Sequence, residues 1–356
     1  MRHTIFLLLL SAVLPTSGCS DGVKASPFAD TGPQVAAADA GVRDGEVDGD
    51  DDGEDVEQGT SPDAGAGELW LESCPLSEPE FRVLDVDGVK LHVACQGEGP
   101  TIVLLHGFPE FWFSWKKVLD LLAVDHRVIA PDQRGYNLSD KPEEVSEYGL
   151  LKLVDDIGAL IPIVSQEPVT VVGHDWGGPV AWTVPFVYPE LVHTLVVLNG
   201  PHPNVLVNLL ENDPAQRDAA QYMDFFRQEG SEEFLMANNF SALAGLFEGV
   251  LTDDELATYK EAWAQPGAIK GGLNWYRAND LSVESIPFEV RVEVPTLVMW
   301  GMDDTALLPQ NLDGLDAYVP DLTVQRYEGV SHWIEHEIPE TVAAEIRAFV
   351  AAHRGD

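Results

Sequence analysis

From Leu76 onward the apolar and polar positions of the chain fall into two rhythms. The stretch "FRVLDVDGVKLHVACQG", residues 81–97, alternates apolar and polar residues on either side of Asp87 and Gly88. Side chains of a strand point alternately to opposite faces, so this pattern predicts two strands joined by a tight turn. Short, almost wholly apolar runs follow, "TIVLLH", "HRVIAP", "PVTVVG" and "HTLVVLNG", separated by helical spacing near 114–122, over 148–164 and after Trp176. Strands that are apolar on both sides need cover on both faces, so the alternation predicts a mostly parallel central sheet between two layers of helices, an α/β fold. The alternation stops near Pro201 and resumes at "VPTLVMWG", "LTVQRYEG" and a final amphipathic helix over 338–352. Residues 201–287, between these two parts, show helical spacing without a clear strand and are expected to form a helical lid inserted into the sheet topology. The sheet-forming parts are then residues 76–200 and 288–356.

The N-terminal part follows neither rhythm. "MRHTIFLLLLSAVLPTSGCS" has a basic start at Arg2 and His3, an apolar run over 5–14 and small residues before Cys19. This reads as an export signal over residues 1–19, too short to span a bilayer; a buried helix is the alternative, but the run has no polar face. "TSGC" resembles a bacterial lipobox, with Thr16 where that motif favours leucine. The resemblance implies that Cys19 is lipidated and anchors the mature chain to a membrane; Ser20, in place of Asp, points to the outer membrane. Residues 20–75 are rich in Asp, Glu, Gly, Ala and Pro, including "DGEVDGDDDGEDVEQG". Like charges repel along such a run and it has little apolar area to bury, so a disordered linker is expected. It lacks the closing Glu of an EF-hand loop, which argues against a specific calcium site. Over the whole 356 residues, 60 acidic and 20 basic side chains give a formal net charge of -40. Binding a phosphate backbone needs clustered Lys and Arg, so nucleic acid is excluded as a partner.

The chemistry centres on "VVGHDWGGPVAW", residues 171–182, where an apolar strand runs through a glycine-rich turn into a helix. The central side chain of such an elbow is held out at the carboxyl end of the sheet, and here it is Asp175. A helix-capping role is the plain alternative. Two partners occur where this fold would supply them: "WGMDDTALLP" ends a later strand with Asp303 and Asp304, and "EGVSHWIEH" puts His332 after the last strand. The order nucleophile, acid, base resembles that of the α/β-hydrolases, whose Trp-Gly-x-x-Asp spacing falls on Asp304, with Asp303 as its rival. A carboxylate that attacks an sp³ carbon forms an alkyl ester, which water can open at the carboxyl carbon, whereas serine would form an inert ether. Asp175 therefore points to displacement at an alkyl carbon, with His332 activating water and Asp304 orienting the imidazole.

Five segments together resemble epoxide hydrolases: "HGFPEFWFSW" from His106, "DQRGYNLSDKP" from Asp132, "GHDWGG" from Gly173, "NGPHP" from Asn199 and "GLNWYRAN" in the lid. The resemblance covers about residues 76–354 and implies an enzyme that opens a small hydrophobic epoxide with water, without cofactor. It implies that Tyr276 and Tyr222 donate to the epoxide oxygen; at Tyr222 this chain has Phe-Arg-Gln where the family has Phe-Gln. It also implies an oxyanion hole from the backbone N–H groups of Phe108 and Trp176, and a pocket walled by Phe108, Pro109, Trp112, Trp176 and Trp275. A haloalkane or haloacid dehalogenase would use the same Asp175 and His332, though many carry Asn where Phe108 stands. A catalytically idle binding lipoprotein is the third reading. His106 reads as a loop brace, and His332 with His336 have zinc-like spacing without a third ligand cluster, so no metal is expected. Cys74 and Cys95 could be bonded to each other or unpaired.

Overall fold

A computed structural model of the protein describes residues 74–282 and 286–353. The expected signal segment with Cys19, and the acidic linker as far as residue 73, lie outside the described residues. The chain enters through a hairpin of β1 (Glu80–Val86) and β2 (Val89–Gln96), turned by Asp87 and Gly88 at φ +52° and +90°. Cys74 and Pro75, within the range assigned to the linker, already pair with Gly97 through two backbone hydrogen bonds, and Cys74 is disulfide-bonded to Cys95. That covalent tie brings the ordered fold two residues forward of the expected boundary.

The strands β3 (Thr101–Leu105), β4 (Arg127–Pro131), β5 (Val169–His174), β6 (Val192–Leu198), β7 (Thr296–Gly301) and β8 (Leu322–Tyr327) complete one sheet. Its order is β1-β2-β4-β3-β5-β6-β7-β8, antiparallel at β1-β2 and β2-β4 and parallel elsewhere. The apolar runs are buried on both sides, as a sheet sandwiched between helices requires. Val103, Leu105 and Val171 join a core with α2 (Leu150–Val164) and α3 (Gly177–Val187). Ile102, Leu104 and Val172 face the opposite core, with α1 (Lys116–Leu122) and α11 (Pro339–His353). Each fully buried Leu or Val contributes about 1.5–3 kcal/mol relative to exposure, so this double-sided strand pattern specifies the layering.

Among the described residues, six helices lie between β6 and β7: α4 (Pro203–Asn212), α5 (Pro214–Ala219), α6 (Gln221–Arg227), α7 (Ser231–Leu246), α8 (Asp253–Trp263) and α9 (Ala268–Ala278). Their starts are written locally. Asp213 accepts from the Ala215 N–H at 2.7 Å ahead of a proline, and Thr252 with Glu255 forms a capping box. α7 is broken at Ala237–Phe240, where three successive residues take positive φ. A short α10 (Ile334–Glu337) precedes α11.

Candidate active site

β5 ends at His174 and α3 begins at Gly177, leaving Asp175 on the turn at φ +48°. Left-handed backbone at a non-glycine residue costs roughly 1–3 kcal/mol and persists only where surrounding contacts enforce it. Here the Phe108 N–H donates to Asp175 Oδ1 at 2.7 Å, and the Gly178 N–H donates to the Asp175 backbone oxygen at 2.9 Å. Gly107 makes this contact possible, because a Cβ there would lie 2.3 Å from Asp175 Cβ. Gly177 similarly lets α3 meet β3, as its Cβ would lie 2.2 Å from the Leu105 oxygen.

His332 Nε2 stands 3.5 Å from Asp175 Oδ2, and His332 Nδ1 is 2.8 Å from Asp304 Oδ2. Asp304 is buried, and its carboxylate also accepts from the Ala306 and Leu307 N–H groups and from Asn199 Nδ2, at 2.8, 2.9 and 2.8 Å. Asp303, the rival from sequence, is exposed, and its backbone N–H donates to the Val330 oxygen at 2.9 Å. Burial pushes the Asp304 carboxyl up, but His332 and these donors hold it below its ordinary value. For His332, burial favours the neutral ring, yet Asp304 and Asp175 outweigh it and hold the imidazole well above its ordinary value.

The lid sets two buried phenols over this pair. The Tyr276 ring packs edge-on against Trp176, Phe108 and Tyr222 with centroids 5.2, 5.4 and 6.3 Å apart. Burial, and then the charge of Asp175, raise both hydroxyls well above the usual phenol value. A small cavity beside Asp175 is lined by Trp176, Tyr222, Leu206, Met223, Leu281 and Leu307, with Pro179 and Pro201 also in its wall. Asp175 is the only charged side chain among its described lining residues.

Four of the expected wall residues do not line this cavity. The Phe108 ring turns into the lid against Phe226, and Pro109 is held from outside by Trp263 Nε1 donating to its oxygen at 2.6 Å. Trp112 packs on Phe81, Phe111 and Phe113, because its N–H is fixed to Asp132 Oδ1 at 3.0 Å at the start of a 3₁₀ turn. Trp275 stands behind Trp176, its indole N–H donating to the Arg134 oxygen at 2.9 Å. Of the five expected, Trp176 remains at the wall. Its position leading into α3 also puts its N–H at the positive end of that helix, next to Asp175. His106 is buried, with Nδ1 at 2.9 Å from the Gly107 oxygen and Nε2 accepting from the Gln133 N–H at 3.0 Å, the arrangement of a loop brace.

Sequence reasoning passed over a buried cluster behind His332. His174, Glu110, Glu335, His336 and Tyr259 converge there from β5, the loop after β3, α10 and α8. The available signal was the set of titratable residues inside apolar motifs, in "HGFPE", "VVGHD" and "HWIEH". His336 faces Glu110 at 2.9 Å, away from the partners of His332, so the two rings do not form a zinc pair. Glu110, Glu335 and His336 bring ligand atoms within 4.8 Å of one another. Glu110 Oε1 and His336 Nε2 are bonded to each other and to Tyr259, so this is a proton-linked cluster and we assign no metal ligands in it.

An acid at the strand–helix elbow, an Asp–His pair at the ends of later strands and an inserted helical lid define a hydrolase built on a mostly parallel sheet. The chain belongs to the α/β-hydrolase fold family, whose model matches residues 100–337. It is 41% identical over 271 residues to AB hydrolase superfamily protein YfhM of Bacillus subtilis (strain 168), covering 73% of this chain and 94% of that protein. It is 32% identical to epoxide hydrolase 2 of Caenorhabditis elegans, covering 76% of this chain and 79% of that protein. Among solved structures it resembles Bacillus megaterium epoxide hydrolase in complex with an inhibitor, at TM-score 0.72 and 33% identity over 76% of this chain and 100% of that one. The chain is thus an epoxide-hydrolase-like member of its family.

Proposed function

We propose that the protein opens a small apolar epoxide to a vicinal diol through a covalent ester on Asp175. The observation that carries this reading is the Asp175 carboxylate within ion-pair distance of His332 beneath two buried phenols. Asp175 Oδ2 attacks a ring carbon; the C–O bond breaks, and the oxygen takes a proton from Tyr276 or Tyr222. His332, oriented by Asp304, then removes a proton from water, which adds to the ester carbonyl carbon. The N–H groups of Phe108 and Trp176 receive the oxyanion. Collapse breaks the acyl C–O bond, and the departing alkoxide takes the proton of the regenerated carboxyl and leaves as the diol. The proton held on His332 returns through solvent to the phenolate, restoring Asp175, His332 and the tyrosine. Ester formation also removes one of the two negative charges that hold a proton on His332, so the ring becomes a base at the step that needs one.

The cavity wall favours an apolar substituent on the epoxide, and it lacks, among its described residues, a cation to pair with the carboxylate of a haloacid. Haloalkane cleavage is the second reading, because the indole of Trp176 in the wall suits a leaving halide. The double variant Tyr276→Phe with Tyr222→Phe separates them: epoxide opening should slow by roughly 10²–10⁴-fold with loss of both acids, whereas halide release should be indifferent. Outside the described residues, the lipobox-like "TSGC" supports lipid attachment at Cys19 and export to the outer membrane. Fatty-acid labelling of the full chain, lost in Cys19→Ala, is the expected result.

A further inference from the structure

Directly behind the base lies a group of buried side chains that the displacement chemistry leaves unused. His174 Nδ1 is 3.0 Å from Glu110 Oε2 and 3.1 Å from Glu335 Oε1, and all three side chains are fully buried. His174 Nε2 is 2.9 Å from the backbone oxygen of His332. A carbonyl can only accept, so Nε2 carries a proton; Nδ1 faces two carboxyl groups and carries one as well, which makes the ring an imidazolium. The two carboxyl groups then differ. Glu110 is saturated, accepting from His174, from His336 Nε2 at 2.9 Å and from the Tyr259 hydroxyl at 3.2 Å. Glu335 forms no aligned hydrogen bond to another side chain; besides its own backbone N–H it meets His174 Nδ1 at 3.1 Å and His336 Nε2 at 3.8 Å.

Resting on the assignment of His332 as the base, we propose that Glu335 is a positioning residue. By releasing or keeping one proton it sets how firmly the His174 imidazolium is held, and through the His174–His332 bond how the base is presented to the ester. One carboxylate already balances the imidazolium, so a second ionised carboxylate leaves a buried net negative charge, which costs free energy. Burial and the neighbouring Glu110 accordingly push the Glu335 carboxyl up to about 7, while Glu335 and Glu110 together overcome burial to hold His174 at about 9. Among the described residues, the titratable groups that act on Glu335 are Glu110 from the loop after β3, His174 from β5 and His336 from its own helix, with Tyr259 from α8 close enough to respond to its charge. Ionised Glu335 adds negative charge near His332 and favours its accepting a proton from water, so ester hydrolysis accelerates as pH rises through about 7.

The test compares the full-length wild type with Glu335→Gln in single turnovers of styrene oxide, following ester formation and decay separately by quenched-flow mass measurement. Formation should agree within about twofold. Wild-type decay should rise roughly tenfold through the titration, the ratio that one pKa unit of coupling gives, and decay in Glu335→Gln should be flat over the same range. Substrate-free infrared spectra should show a protonated-carboxyl band that titrates near neutrality in the wild type and is missing in Glu335→Gln. Persistence of the decay titration in the variant, absence of the band in the wild type, or a uniform slowing of both steps at every pH would overturn the proposal. So would a stoichiometric divalent metal in the wild type that Glu335→Gln loses. If wild type forms no ester at all, the Asp175 assignment itself is wrong and the Glu335 proposal falls with it.

Discussion

Asp175 accepts a backbone hydrogen bond from Phe108, sits 3.5 Å from His332 and occupies strained left-handed backbone. Each feature aims the carboxylate, and in the proposed mechanism an acid in place of serine allows an ester that water can open. Asp304→Asn should keep the fold but misorient the imidazole, lowering ester hydrolysis by roughly 10³–10⁴-fold, as measured in single turnover. The lid phenols give a pH prediction with a definite sign. They donate only while protonated, and burial with the charge of Asp175 raises both, so the donor is lost as pH climbs through a value above the ordinary phenol range. Ester formation should therefore stay level past about pH 10, where a free phenol ionises, before it declines. At this scale Asp175, Asp304 and His332 were legible because their spacing follows strand ends. The Glu335 cluster was not, because its members come from four separate segments that meet only in the folded chain.

At the scale of elements, the strand–turn–helix elbow works because glycines remove side chains from crowded approaches. Gly107→Ala should fold and yet lose roughly 10²-fold in kcat, since its Cβ would press on Asp175 Cβ and a small misplacement of a reacting group is costly. A near-normal kcat would show that the loop yields freely. Short apolar runs made the inner strands readable from sequence, because strands buried on both faces carry that composition, and apolar–polar alternation marked the first hairpin. How the six inserted helices pack was not readable, since an aromatic stripe reports burial without naming the surface it faces. Trp112 and Trp275 illustrate this: both read as pocket wall, yet Trp112, its main-chain N–H bonded to the Asp132 carboxylate, packs on Phe81 of β1, and Trp275, its indole N–H bonded to the Arg134 oxygen, stands behind Trp176.

At the scale of the whole molecule, the sheet's first edge is fastened by the Cys74–Cys95 disulfide across 21 residues of sequence. Closing a loop of that size restricts the unfolded chain by about 3 kcal/mol, so Cys74→Ser with Cys95→Ser should lower the melting temperature by several degrees while kcat changes little. The buried cluster links stability to pH as well. Glu335 is raised when folded, so its contribution is fully present below the ordinary carboxylate range and declines as pH rises to about 7. Melting temperature should fall over that interval in the wild type and fall less in Glu335→Gln. The proposed ester on Asp175 is visible to intact mass measurement. Full-length His332→Gln incubated with styrene oxide should gain the mass of one epoxide, and His332→Gln carrying Asp175→Asn should gain none. Mass gained only from a bromoalkane, or gained equally without the Asp175 carboxylate, would contradict the account.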